Sequence, residues 1–483
     1  MDTLFSSKFV QILKTLSPDE WKTFELWLKS PWANSNKNLI RLLEKLKKYY
    51  PAFNHPKFTK EKLFKQILPT GKFSLRRMNN LLSEGYLAAE RFLIFQNLAQ
   101  DNNLQQDLLT KELQSRYLDE WFFKDAEKEI NRLEEQPVKE WEDHLSLFQM
   151  HRRVYHHPNQ SPRMQPGGTT IVRMGEELDL LYLLEKAAII NEKIFRNRIL
   201  KNENHAVEKD LEQWLLASEG VDHVAIDFYR KRFAYTEEKM LEQYLSLREA
   251  FFTQFERLNT KEKKSHLLWL LNDTVFLIKA RKLSITDNLP LYKLGLKTGI
   301  LLHKGKLTQN TYVAIIASSN TQKDFRFTSK FIEKYNEKLD QSIQQDALNW
   351  ALAHLSYWKK DLEACLEFLL NHSFKTLYFQ RITKVLTTQV YFDLYLKDDS
   401  YQFYLLNYFD SFEKWLLREK VRTKFNKKPH LRFVQVCRTL AKNFSEIDFD
   451  PKKVKSLLEG ETNIQASNWL EQKISQIIAI KTK

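Results

Sequence analysis

The chain has 483 residues and carries 76 Lys plus Arg against 61 Asp plus Glu, a net charge of +15. With 10 glycines and 12 prolines it has less than half the usual share of turn residues. That disfavours β-sandwiches and the glycine-turn enzymes of the Rossmann and P-loop types, and points to an all-α protein. Hydrophobic residues make up 43 % and charged residues 28 %, which suits a packed core under a well-solvated surface.

Helix signals begin early. Ser17-Pro18-Asp19-Glu20 is a capping box with proline in the first turn. Trp21, Phe24 and Leu28 follow on one face, and Ser30-Pro31 ends the helix. Leu39, Leu42, Leu43 and Leu46 form a second stripe closed by Pro51, and Thr59 caps a short third helix through Ile67. A long helix is predicted from Ser74 to Ala99, burying Leu81, Leu82, Tyr86, Ala89, Phe92 and Leu93. Further helices cover 104–157, with Leu118, Trp121, Phe122 and Trp141 as core candidates. Residues 157–170 hold three prolines and two glycines, the composition of a loop. The expected division is therefore an N-terminal helical bundle over 1–157, a Pro/Gly-rich linker over 158–175, and a second helical domain over 176–483.

The second domain repeats. Lys323-Asp324, Lys360-Asp361 and Lys397-Asp398 recur every 37 residues, with Ile316, Ala353 and Val390, then Phe331, Phe368 and Leu405, in the same register. A period of this length is the mark of stacked helix pairs that bury their faces only against neighbours. Each Lys-Asp pair belongs in the turn between two helices. The middle unit, Leu352-Ala353 through Lys360-Asp361-Leu362-Glu363 to Cys365 and Leu369, resembles the tetratricopeptide (TPR) pattern, with Ala353 and Cys365 as the small residues that let two helices approach. Lys29–Asn38 before a helix ending Lys47-Lys-Tyr-Tyr-Pro51, Leu291–Gly299, and the stretch 312–370 together resemble an uncharacterised bacterial family of similar size. That resemblance implies an all-helical repeat protein and brings no activity and no catalytic residues.

The two cysteines, Cys365 and Cys437, exclude a disulfide scaffold and a thiolate zinc site and suit a reducing cytoplasm. Residues Met1–Lys8 lack the apolar run of a signal peptide, and the most apolar stretch, Leu267–Ile278, is broken by Asn272 and Asp273. An N-terminal apolar stripe of Leu4, Phe5, Phe9, Ile12, Leu13 and Leu16 suits packing better than membrane docking. His151, His156 and His157 are the one histidine cluster and read as a solvated helix end, so no metal and no cofactor is expected. Gly167-Gly168-Thr169-Thr170 lacks the lysine of a phosphate loop.

The expected function is a non-enzymatic intracellular scaffold that binds a peptide or partner helix on a right-handed TPR-like α-solenoid. Candidate contact residues are Tyr312, Lys323, Asn349, Tyr357, Lys360 and Arg381. The alternative is RNA, DNA or ribosome binding. Residues 1–100 carry 17 basic and 8 acidic groups, and residues 401–483 carry 16 and 9. Arg41, Lys45 and Lys48 share one helix face, and Arg418, Lys420, Arg422, Lys424, Lys427, Lys428 and Arg432 lie within 15 positions interleaved with Phe425 and His430.

Overall fold

The computed structural model describes residues 6–53, 59–159, 169–200, 204–238, 240–418, 427–446, 451–458 and 464–481. Described residues form α-helices and short 3-10 turns, and their one β-bridge joins His303 to Lys306. None of these helices is long and apolar enough to cross a membrane. The chain divides into two units, Met1–Ile226 and Asp227–Lys483.

In the first unit the N-terminal bundle comprises α1 (Lys8–Leu13), α2 (Pro18–Lys29), α3 (Lys37–Lys47), α4 (Lys60–Ile67) and α5 (Leu75–Gln100). The predicted capping box is present: Ser17 Oγ accepts from Glu20 N–H and the Glu20 carboxylate accepts from Ser17 N–H. α5 packs against each of the other four helices. Phe9, Trp21, Phe24, Leu42, Leu46, Phe64, Met78 and Phe92 fill the core between them, and each side chain of this size contributes about 1.5–3 kcal/mol by leaving water. Leu81, Leu82 and Ala89 join that core, whereas Leu93 is exposed and Tyr86 half-buried.

The unit continues through α6 (Asn102–Ser115), α7 (Asp119–Glu134), α8 (Trp141–Tyr155), α9 (Thr169–Ile199) and α10 (Glu208–Ser218). Phe122 is buried here, but Trp121 is exposed. α9 starts at Thr169, so residues 169–175 are helix and not linker. α9 packs along α8, although Ile171 and Val172 in its first turn are exposed. The Pro/Gly-rich segment thus connects two packed helices of one unit, and residues 160–168 fall outside the described ones. α11 (Val224–Glu238) carries the chain across the division.

The second unit contains α12 (Leu241–Gln254), α13 (Thr260–Lys279), α14 (Leu289–Lys297), α15 (Gln309–Thr321), α16 (Phe325–Tyr335), α17 (Gln344–Trp358), α18 (Leu362–Leu370), α19 (Leu377–Tyr395), α20 (Gln402–Arg418), α21 (Lys428–Ser445), α22 (Pro451–Ser456) and α23 (Ser467–Lys481). The 37-residue period has a physical origin in its turns. Lys323 and Lys360 adopt left-handed backbone, with φ of 61° and 70°. Lys323 N–H donates to Asn320 O and Asp324 N–H to Ser319 O, while Lys360 N–H donates to Tyr357 O and Asp361 N–H to Ser356 O. This pattern reverses the chain and satisfies the last carbonyls of α15 and α17. The aspartate then caps the next helix: Asp324 Oδ1 accepts from Phe327 N–H and Asp361 Oδ1 from Ala364 N–H.

The third pair departs from this geometry. Lys397 is not left-handed, and Asp398 caps a 3-10 turn, Asp399–Tyr401, ahead of α20. Even so, Ile316, Ala353 and Val390 are all fully buried. α15 packs on α17 and α17 on α19, and Asn320 Nδ2 lies 2.9 Å from His354 Nδ1 between successive pairs.

The turn chemistry is testable. Lys360→Gly removes the steric penalty of the left-handed residue and raises unfolding stability by about 1 kcal/mol. Asp361→Ala removes the cap and lowers stability by about 0.5–2 kcal/mol. Urea unfolding of the full chain reads both.

Candidate functional site: a polar cleft walled by the C-terminal helix

α23 presents three faces to three surroundings. Leu470, Ile474 and Ile477 are buried among Phe433, Cys437 and Leu440. Trp469 and Lys473, one turn apart, face α17 and α19. The Trp469 ring meets Phe392 edge-on at 5.6 Å, and its Nε1–H donates to Tyr357 Oη at 2.8 Å. Tyr357 in turn donates to Asp393 Oδ2 at 2.8 Å, and Lys473 Nζ sits 2.5 Å from Asp393 Oδ1. Lys473 also donates to Gln476 Oε1.

Both charges of this pair are buried. Desolvation makes a buried ion pair expensive unless its remaining hydrogen-bonding groups are also satisfied; here Tyr357 and Gln476 supply partners. Burial, reinforced by the Asp393 charge, pushes the Tyr357 hydroxyl well above its ordinary value. Tyr357 therefore stays protonated and remains a donor. The three residues tie α17, α19 and α23 together.

The third face of α23, carrying Asn468, Glu471, Gln472 and Ser475, forms one wall of a shallow, open cleft of about 780 Å³. Ile278, Arg281, Lys282, Leu283, Ser284 and Asp287 form the other. The second wall exists because α13 ends in the same kind of turn. Arg281 is left-handed, with φ 59°, and Lys282 N–H donates back to Leu277 O, which turns the following residues toward the cleft. Ser284 and Asp287 then form a reciprocal cap on a 3-10 turn.

Charge among the lining residues is balanced, with Arg281 and Lys282 against Asp287 and Glu471. Arg281 pairs with Glu471 across the cleft, and Asp287 also lies 3.9 Å from Arg248 outside it. Asn468, Gln472 and Ser475 bring amide and hydroxyl groups, and Ile278 and Leu283 bring apolar surface. This lining suits the amides and mixed side chains of a polypeptide better than a highly charged ligand.

The residues expected from sequence to carry contacts are dispersed. Tyr312 is fully buried, donates to Asn336 Oδ1 and packs on Phe331; Tyr357 is buried in the ionic network. Neither lies on a surface: Tyr312 is covered by α16 and the turn that follows it, and Tyr357 by α19 and α23. Lys323 and Lys360 are exposed at turns. Asn349 on α17 is half-buried and donates to Gln345 O. Arg381 on α19 is half-buried with its guanidinium over the Tyr378 ring.

Of the basic residues, Arg41 and Lys48 are exposed and Lys45 half-buried at α3 in the first unit. Arg418 ends α20 and Lys427 and Lys428 open α21 in the second, while Arg432 donates to Leu457 O. Lys420, Arg422, Lys424 and Phe425 lie outside the described residues. His430 is buried, and burial holds its imidazole down to about 4, so it is no stacking platform for bases.

His151 and His157 are not a solvated helix end. Both are buried, His151 at 3.9 Å from Glu134 and His157 stacked on Phe122 at 4.6 Å; only His156 is exposed. Among the described residues no group of His, Cys, Asp and Glu has metal-binding geometry. Cys365 and Cys437 are free and buried, and burial pushes the Cys365 thiol up to about 12, far from a reactive thiolate. Comparison with protein-family models, with curated proteins and with solved structures found no match.

Sequence reasoning missed Asp393, Trp469 and Lys473. The available signal was an acid in the middle of the aromatic run Tyr391-Phe-Asp-Leu-Tyr395, since a charge on an apolar helix face requires a partner. Removing that partner is costly. Lys473→Ala is expected to destabilise the chain by about 3–5 kcal/mol, whereas Lys473→Met with Asp393→Leu costs less than the single change, as thermal and urea unfolding of the three chains will show.

Proposed function

We propose that the second unit is a helical-repeat interaction module, TPR-like in its successive helix pairs, and that it takes a polypeptide segment in the cleft between α13 and α23. The observation that carries this reading is the cleft itself: charge-balanced, lined by amides and hydroxyls beside apolar side chains, with one wall fixed by a buried ionic network. Support for the repeat comes from the matched turns at Lys323-Asp324 and Lys360-Asp361 and from the complete burial of Ala353 and Cys365, where small residues allow close helix approach. Stacked helix pairs of this kind provide extended binding surfaces. The role is one of binding and not of catalysis, and the two unpaired buried cysteines fit a reducing compartment such as the cytoplasm.

Polyanion binding through the basic ends is the second reading. Its support is the face of α3 that presents Arg41, Lys45 and Lys48. It is the weaker of the two, because Glu44 adjoins that face and His430 is withdrawn into the core.

The test is a photo-crosslinking amino acid placed at Gln472 in the full chain, with a second chain labelled at the exposed Lys330 as control. In nuclease-treated lysate, the label at 472 is expected to give a discrete adduct with one polypeptide, absent from the 330 control and lost when Ser475→Trp fills the cleft. Equal labelling from both positions, or an adduct that disappears on nuclease treatment, overturns the peptide-binding reading.

A further inference from the structure

α9 is apolar on two faces, of which the described residues cover only one. Leu181, Leu184, Ala187, Ile190 and Asn191 are buried on the side that meets α8 and α10. The opposite side carries Ile171, Leu178, Tyr182 and Ile189, which are 44 %, 50 %, 45 % and 50 % exposed. At about 100° per residue these four lie within about 40° of one another around the helix. The solvent side of a surface helix is ordinarily polar, so an apolar stripe along five turns calls for a partner.

The pattern of the stripe identifies that partner. The spacings of seven, four and seven are those of a coiled-coil seam, and they read the same from either end. Position 171 reflects onto 189 and 178 onto 182, both about Leu180. This is the condition for an isologous interface, in which residue i meets residue j and j meets i across a two-fold axis. We infer that a second copy of this chain docks here, its α9 running antiparallel to the first. Ile171 then packs on the partner's Ile189, and Leu178 on the partner's Tyr182. Between these layers Gly175 faces the partner's Glu185. Nothing lies within 4 Å of where a Cβ at Gly175 would project, so the acid's stem has room to pass and its carboxylate reaches water.

The full chain is the material for the test. Sedimentation equilibrium at tens of micromolar is expected to give twice the 57.9 kDa chain mass. Leu178→Glu, at an exposed position, returns it to 57.9 kDa with an unchanged circular dichroism spectrum. Separately prepared Leu178→Cys and Tyr182→Cys chains, mixed and oxidised, form a disulfide-linked pair, while Ile171→Cys alone does not; Cys365 and Cys437 are buried and do not interfere. The inference is overturned if the wild-type chain stays monomeric throughout, if Leu178→Glu leaves the dimer intact, or if Ile171→Cys links to itself as a parallel pairing requires.

Discussion

The Lys473–Asp393 contact is the constraint on which the cleft depends. The position of α23 is set by what it touches. Apolar burial through Leu470, Ile474 and Ile477 fixes which side of α23 faces the core. It does not fix rotation or axial position sharply, because a hydrophobic contact is non-directional. The Lys473–Asp393–Tyr357–Trp469 network does so, since an ion pair and two hydrogen bonds close at only one register. Asn468, Gln472 and Ser475 occupy one wall of a cleft as a consequence.

A second polar pair has the same character elsewhere in the unit. Arg232 and Asp273 are paired and buried beside Trp269 and the fully buried His266. Burial holds His266 well below its ordinary value and hence neutral, so it adds no competing charge to the pair. Asp273 is one of the two residues that interrupt the apolar run 267–278. In sequence it reads as a break in hydrophobicity; in the fold it is one half of an interior contact whose other half lies 41 residues away.

What could be read from the sequence follows this division between local and distant causes. Caps, stops and apolar stripes act within one helix turn, so Ser17, Ser74 and the faces of α2, α3 and α5 were legible. The Lys-Asp period was legible because a left-handed residue followed by a capping aspartate is a local device. Which aromatic residues reach the surface was not. Tyr312 and Tyr357 look like ligand-facing residues, but α16 and its following turn cover the first and α19 and α23 cover the second, contacts made by residues 19 to 112 positions away. The same holds for Trp469 against Tyr357, 112 residues apart.

The most direct measurement is the distance between spin labels at Lys282 and Gln472, on the two cleft walls of the full chain, by pulsed electron resonance. If the buried ion pair holds the C-terminal helix in place, the wild-type chain gives a single narrow distribution, and Lys473→Ala broadens it under conditions where the chain remains folded. A broad distribution with Lys473 intact, or one that stays narrow without it, contradicts the assignment of the wall to that contact.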